Sequence, residues 1–533
     1  MYRILTASKD TYITNKIVNN RFRATDANVG KSATIDIFKL YGESTSGSDT
    51  SPIEVSRGLI KFDLGPLRKM TGSMLDISHE SFKCTLFLKD VYGGQTCPSN
   101  FKIIVFPLSK SFDEGIGRDV VNFSDLDSSN WLTSSISNST TPVTWSGAAS
   151  SNPTSPSPNA GAGKQGLLGS SNIDIISSGN LNDGNGIVNL WKEQLFSTGE
   201  EDLEIDITSI ISGTLKGLIP DQGFRISYSG SQETDKVTRF VKRFGSSQNS
   251  IFKNKPKLVV QFNDTVQDHH QSFYFNLSGS LFLNNYHRGS LKNIISGSSL
   301  SIVKGSDSIL LKLISGSSSR GTYYEKIITG SQHSIGENFV EGVYSASFAI
   351  SEFSSSNKGE TRTGDSLRNE IKNAGSATFT EIWSSLDETI GYITSSLVIN
   401  SVNRTTFSNK SSRMTISITN MKTQYTATDK ARFTVFAEDV DRKIVARKLP
   451  FETKSSILTS LYYRIRDIES NDIIIPFETS SNGTLCSTDS NGMYFEFFMS
   501  SLPKGKLHTI DFLLKEAGVN QIFTDVSSKF IVV

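Results

Sequence analysis

Apolar and polar residues alternate with a period of two along most of the chain, the spacing that sends successive side chains to opposite faces of a β-strand. In residues 82–88, Phe82, Cys84, Leu86 and Leu88 share one face, while Lys83, Thr85 and Phe87 share the other. Phe224, Ile226 and Tyr228 alternate with Arg225 and Ser227, and Ile416 and Ile418 with Thr415, Ser417 and Thr419. The apolar runs 101–106 (FKIIVF) and 257–262 (KLVVQF) predict strands buried on both faces, and Gly, Asn, Asp and Ser clusters bound most of these segments. Helical periodicity is sparse. In 206–215, Asp206 can cap a helix whose Ile207, Ile210, Ile211 and Leu215 lie on one face, with Gly217 placed for a left-handed C-terminal cap. Weaker helix patterns occur at 186–196 (GIVNLWKEQLF) and 381–393 (EIWSSLDETIGYI). The pattern predicts an all-β protein with short helices at its edges.

Two soft stretches divide the chain. Residues 139–166 are rich in Ser, Pro, Gly and Ala, carry too little apolar surface to order strongly, and predict a long loop. Residues 263–270 (NDTVQDHH) follow a strong strand and predict a domain boundary. Beyond it, Ser-Gly-Ser tripeptides at Ser278, Ser296 and Ser315, with Gly330 and Ser331 in a similar place, recur at irregular spacing. They predict tight hairpin turns and not a solenoid. From 401 onward about seven short alternating strands suit an immunoglobulin-like sandwich without its Cys…Trp…Cys signature. The Leu502-Pro-Lys-Gly turn fits the penultimate hairpin of such a domain. The expected organisation is a sandwich over 1–265, a β-rich middle domain over 266–400 and the immunoglobulin-like sandwich over 401–533.

The length of 533 residues allows two to four domains of about 100–200 residues each. Hydrophobic residues at 36% supply packed cores, and Phe outnumbers Tyr and Trp (33 against 15 and 4), as pleated surfaces favour. With 54 basic and 53 acidic residues the net charge is +1, so nothing pulls the chain toward phosphate backbones or anionic lipid; nucleic-acid binding is not expected. Cys84, Cys97 and Cys486 are too few for a disulfide framework; a Cys84–Cys97 bridge and buried thiols both remain open. The opening MYRILTASKDTYITNK lacks the apolar region of a secretion signal, and no run suits a membrane helix, so membrane insertion is not expected.

A set of motifs carries a family resemblance. Ser8-Lys-Asp-Thr-Tyr-Ile13, Asn28-Val-Gly30, Ser56-Arg-Gly-Leu-Ile-Lys-Phe-Asp-Leu64, Trp131, Trp145, Ile205-Asp-Ile-Thr208, Gly223-Phe-Arg-Ile226, Phe244-Gly-Ser-Ser247 and Pro256-Lys-Leu-Val-Val-Gln-Phe262 follow in order. Together they resemble the DNRLRE-type β-sandwich, which is like a carbohydrate-binding module, although the motif that names that family is absent. The resemblance implies a jelly-roll-like sandwich over 1–265. The run Ser111-Phe-Asp-Glu-Gly-Ile-Gly-Arg-Asp119, followed by Phe123-Ser-Asp-Leu-Asp-Ser-Ser-Asn-Trp131, resembles a stretch of tailed-bacteriophage structural proteins. Asp10 is placed to accept hydrogen bonds that fix the first strand, and Asp63 to begin the turn at Gly65 and Pro66.

Candidate chemistry is thin. Gly161-Ala-Gly-Lys-Gln has Pro158 and Gln165 where a phosphate loop needs Gly and Ser or Thr. Residues 182–186 (NDGNG) read as a turn, since Val188 and Gln194 stand where a calcium loop counted from Asp183 needs Gly and Glu. Adjacent His269 and His270 would face opposite ways on a strand, and adjacent Asp113 and Glu114 diverge on an extended chain, whereas sugar hydrolysis needs two carboxylates converging across about 5–10 Å. No catalytic, cofactor-binding or metal-ligating residue is expected. Tyr92, Trp131, Trp145 and Trp191 are candidate glycan-stacking faces, with core packing the competing reading. The expectation is a non-enzymatic structural component of a tailed-phage virion (tail, baseplate or neck), assembled in the host cytoplasm. Its expected partners are other virion proteins in a homo-oligomer or multi-protein assembly, with a host-surface glycan as a further candidate. The alternatives are a glycan-binding adhesin and an accessory module of a polysaccharide-degrading enzyme.

Overall fold

A computed structural model of the chain describes residues 1–44, 51–72, 74–122, 127–137, 141–147, 159–181, 186–269, 273–297, 300–317, 322–354, 364–402, 413–441, 455–516, 518–526 and 529–533. Residues 139–140 and 148–158 of the expected 139–166 loop, the 182–185 turn, residues 123–126 of the phage-like stretch and His270 lie outside these; the described part of that loop holds strand Thr141–Thr144 and the start of strand Gln165–Leu167, so it is not one unbroken loop. The fold is all-β, with short helices attached to the sheets. The chain divides into two compact units. One holds residues 3–69 and 82–261; the other holds 1–2, 70–81 and 262–533, so the stretches 266–400 and 401–533 fall in one unit.

The first unit is built on a curled sheet in the order Lys192–Phe196, Phe101–Pro107, Phe224–Tyr228, Ile53–Phe62, Tyr2–Thr14, Lys257–Gln261, Lys83–Leu88 and Leu203–Asp206. Ile53–Phe62 changes partners along its length. It meets Thr34–Tyr41 at Lys39↔Val55, Tyr2–Thr14 at Thr14↔Ser56 and Phe224–Tyr228 at Phe224↔Ile60. Such switching lets one strand turn a corner between layers and enclose a core between them. In that core Phe101 stacks on Phe196 at 5.0 Å and meets Tyr228 edge-on at 5.3 Å. The expected strand 101–106 and the alternating strand 82–88 are both present, and Cys84, Leu86 and Leu88 are buried as their period requires.

The helix expected from Asp206 spans Thr208–Leu215. Asp206 Oδ1 accepts the Thr208 N–H at 2.8 Å, and Gly217 follows with φ +77°, the conformation a glycine adopts without Cβ strain. The helix pattern at 186–196 does not hold. It gives strands Ile187–Asn189 and Lys192–Phe196, because pairing with Phe101–Pro107 and the Phe196–Phe101 stack outweigh a weak helical period. The helix pattern at 381–393 fails likewise. Alternation of Ala377, Phe379, Glu381 and Trp383 toward the core makes Ser376–Ser384 a strand, and Glu388 at φ +58° lies in the turn to strand Gly391–Asn400.

The second unit contains a seven-stranded sheet ordered Phe273–Tyr274, Gly391–Asn400, Ser376–Ser384, Ile309–Ser317, Thr322–Ile335, Asn338–Ala349 and Ser278–Asn284. Helix Gly364–Ala374 sets Leu367 and Ile371, one turn apart, into the core of this sheet among Leu311, Tyr324, Phe379 and Trp383. After residue 412 two sheets face each other in the expected immunoglobulin-like arrangement. One is Met414–Ile418, Lys430–Asp439, Gly492–Phe498 and Ser487–Asp489; the other runs Gln424–Tyr425, Phe530–Val532, Leu507–Glu516, Leu461–Asp467 and Ile473–Ile475. Aromatic rings fill the space between them: Phe495 lies 4.3 Å from Tyr463 and 5.9 Å from Phe512 between ring centroids. Each such ring buries enough surface to favour folding by about 2–3 kcal/mol.

Candidate functional site

The aromatic candidates come first. Trp131 and Trp145 are fully buried beside Phe112, Ile175 and Ala162, and Trp145 Nε1 donates to the Asn130 carbonyl at 2.9 Å. Neither can offer a face to a sugar, which corrects the expectation for both. Trp191 is half-buried against the same cluster. Tyr92 alone is exposed, at 65%, in the loop after Lys83–Leu88. The structure therefore does not bring the four together as a stacking platform.

The motifs that carried the family resemblance instead converge on a network that braces loops against this core. Arg57, buried on its strand, binds Glu233 through Nε–Oε1 and Nη2–Oε2 contacts of 2.9 Å each. Its Nη1 donates to the carbonyls of Ala160 and, at 2.7 Å, Gly161, while the guanidinium lies 5.2 Å from the Trp131 ring centre. Gly161 has φ +58°, and a Cβ there would stand 2.4 Å from the Trp131 ring. The residues that resembled a phosphate loop are thus seated on tryptophan and arginine, and a strand, Gln165–Leu167, follows them where a phosphate loop needs a helix. Asn28 is a second hub. Its Nδ2 donates to Glu114 and Ser129 carbonyls at 2.8 Å each, and its Oδ1 accepts from Gly30 and Gly117 at 3.0 Å each.

The carboxylates flanking that hub are engaged separately. Asp113 Oδ2 accepts the Ile136 N–H at 3.1 Å, whereas Glu114 takes the Asp10 N–H at 3.2 Å and pairs with Lys31 at 2.8 Å. Asp10 accepts both the N–H (2.6 Å) and Oγ–H (3.0 Å) of Ser247, tying the first strand to the 245–250 loop as its position suggested. Burial raises its pKa to about 7, against the lowering effect of those bonds. Asp63 Oδ1 accepts the Gly65 N–H at 2.9 Å and opens the turn.

In the second unit a cavity of about 1020 Å³ is lined by Tyr286, Lys430, Arg432, Asp489, Tyr494 and Glu496, among others. Arg432 is its centre. The guanidinium lies 3.6 Å from the Tyr494 ring centre, pairs with Asp489 and, at 3.6 Å, Glu496, and donates to Tyr286 Oη at 3.3 Å. Burial lowers its pKa, but the Tyr494 and Asp489 oxygens more than offset this and hold it above the usual range. Lys430 pairs with Glu496 as well. Arg432 sits between the two carboxylates, and with Lys430 it balances their charge. This arrangement cross-braces adjacent strands and does not aim two free acids at one reacting bond.

Cys84 and Cys486 are buried thiols and Cys97 is half-buried, so Cys84 and Cys97 do not pair. His269 lies beside Phe273, with ring centres 6.1 Å apart, and His508 is buried near the Pro503 carbonyl. Among the described residues no group of three His, Cys, Asp or Glu side chains gathers as a metal requires, and no helix is long and apolar enough to cross a membrane.

A surface feature remains that the sequence reading missed. Strand Gly391–Asn400 (GYITSSLVIN) carries no charge and no proline, the residues that usually protect an exposed edge. One side pairs with Ser376–Ser384 in regular register from Ile393 to Asn400, with a bulge at Tyr392; the other meets Phe273–Tyr274 only at Ile399 and Asn400. Residues 392–398 have no strand on that side among the described residues. Exposed apolar side chains include Ile393 and Val398 on opposite faces of this strand, Leu386 and Ile390 in the turn before it, and Ile295 and Ile302, which pair across a small hairpin. Tyr392 Oη bonds Ser296 Oγ at 2.9 Å and ties that hairpin to the edge. The signal was present in the uncharged alternation of 391–400, but the helical spacing of 381–393 obscured it.

Fold and site together define an all-β scaffold with internally paired charges and an open sheet edge. No protein-family model matches the chain. No curated protein matches it either. Among solved structures, the native conformation of alpha-2-macroglobulin from E. coli is similar at 10% identity, covering 98% of this chain and 35% of that one, with a TM-score of 0.13. The chain thus spans about a third of that protein's length, and a likeness this weak carries no argument.

Proposed function

We propose that the protein is a non-enzymatic structural component of a tailed-phage virion, in the tail, baseplate or neck, and that it works through interfaces with neighbouring subunits. The observation that carries the reading is the uncharged edge of 392–398, whose outer side has no strand partner among the described residues and on which Ile393 and Val398 are exposed. An uncharged edge that leaves backbone N–H and C=O groups without a strand partner invites pairing by other chains, so a protein that keeps one is suited to having it covered. The internal pairing of Arg57 with Glu233 and of Arg432 with Asp489 and Glu496 supports the same reading, because those charges stiffen the scaffold. The phage assignment is supported by the likeness of residues 111–131 to structural proteins of tailed phages. Mass spectrometry of purified phage particles from the source that encodes this chain tests it. Peptides from both units at stoichiometry with known virion proteins are expected; their absence from particles, with the chain abundant in the lysate, overturns it.

A further inference from the structure

The open edge has a direction and a length that restrict what can cover it. The Asn400 carbonyl points away from the neighbouring strand, accepting the Phe275 N–H at 2.9 Å, whereas the Ser401 N–H points toward it and donates to Gly375 at 2.8 Å. In an antiparallel ladder alternate residues turn both backbone groups to the same side. Thr394, Ser396 and Val398 therefore direct their N–H and C=O groups outward with Asn400. Among the described residues the open edge is closed at one end by Phe273–Tyr274 and at the other by the turn through Glu388. That leaves room for a short added strand only.

We propose that this edge pairs with the same edge of a second copy of the chain, antiparallel about a two-fold axis at Ser395. The inference deepens the structural reading above and rests on it only for the premise that the protein works in an assembly. The sequence is self-complementary about that point. Within the regular part of the strand, Thr394 falls opposite Ser396, Ile393 opposite Leu397, and Ser395 opposite itself. Hydroxyl residues meet hydroxyl residues and aliphatic meets aliphatic, each pair recurs with the copies exchanged as in any isologous interface, and no charge is buried. Thr394 and Ser396 of each copy, both facing outward, exchange backbone hydrogen bonds. A register centred on Ser396 instead sets Ser395 against Leu397 and brings Tyr392 opposite Asn400, whose outward carbonyl is already taken by Phe275.

The test is sedimentation of the full chain, wild type and Ser396→Pro, with thermal melting as the fold control. Proline at an outward N–H removes no bond within the sheet and is tolerated on an edge, but it blocks a new partner strand. Wild type is expected at twice the chain mass and Ser396→Pro at the chain mass, with unchanged melting. A cysteine scan in a Cys97→Ser background fixes the register. Ser395 faces its own copy across a pair whose Cα atoms are about 4.5 Å apart, within disulfide reach. Ser395→Cys should cross-link on mild oxidation and Ser396→Cys should not. Should Ser396→Pro fail to fold, this scan decides alone. A monomeric wild type, a dimer untouched by Ser396→Pro, or faster cross-linking at position 396 overturns the proposal. None of these outcomes bears on whether the chain is found in particles, so the two readings fail separately.

Discussion

Replacing Arg57 with Met is the most informative single perturbation of the first unit. The guanidinium is 2% exposed and Glu233 only 12%, so the substitution removes a buried cation and strands its carboxylate. Losing one partner of such a pair typically costs about 3–5 kcal/mol, and the Ala160 and Gly161 carbonyls lose their donor as well. Arg225, also buried nearby, still attracts Glu233 and holds the expected loss to about 4 kcal/mol at neutral pH. Urea unfolding followed by tryptophan fluorescence measures it, since Trp131, Trp145 and Trp191 belong to this unit and Trp383 to the other. The loss should depend on pH in a definite sense. In the wild type, burial raises the Glu233 pKa, but Arg57, Arg225 and hydrogen bonds outweigh it and hold it below the ordinary range. The stability it contributes is present above the unfolded carboxylate pKa of about 4.3 and is lost as pH falls through the folded value. Without Arg57 that pKa rises and protonation relieves the stranded charge, so the variant's deficit should shrink toward about pH 5. Adding Glu233→Gln to Arg57→Met should recover at least half of the loss. A deficit under about 1 kcal/mol, one indifferent to pH, or no recovery in the double variant would refute the reasoning.

Further predictions concern titration and thiol reactivity. Asp10, its folded pKa raised to about 7 by burial, contributes stability that is fully present below about pH 4 and is lost as pH rises through 7. Wild-type stability should therefore decline by a few kcal/mol (about 1.4 per pKa unit) between pH 4 and 8 through this group. Asp10→Asn, which keeps an acceptor for Ser247, should flatten that slope in urea titrations; an unchanged slope contradicts the assignment. Native protein should expose Cys97 alone to a thiol reagent and react at all three cysteines once unfolded, read as absorbance of the released thiolate. Rapid native labelling of Cys84 or Cys486 would contradict the packing described.

Alternation made the strands legible where one face is buried, as in Lys83–Leu88, and turn chemistry made Asp63 and Gly217 readable. Local signals misled where a distant strand decides. Residues 186–196 and 381–393 have helical spacing, but ladder partners far along the chain, Phe101–Pro107 for the first and Ile309–Ser317 for the start of the second, hold them extended. The helix Gly364–Ala374 was missed because only Leu367 and Ile371 mark its apolar side. Trp131 and Trp145 carry the same indole in a core as on a sugar platform, and only the loops folded over them distinguish the two. The Arg57–Glu233 and Arg432–Asp489 pairs join residues 176 and 57 positions apart, a distance at which no spacing rule applies.

Electron density from intact phage particles tests the structural role most directly. The account predicts this chain in ordered density at the tail, baseplate or neck, with a neighbouring strand lying along residues 392–398. Particles complete without it, or a map in which that strand faces only solvent, would contradict it.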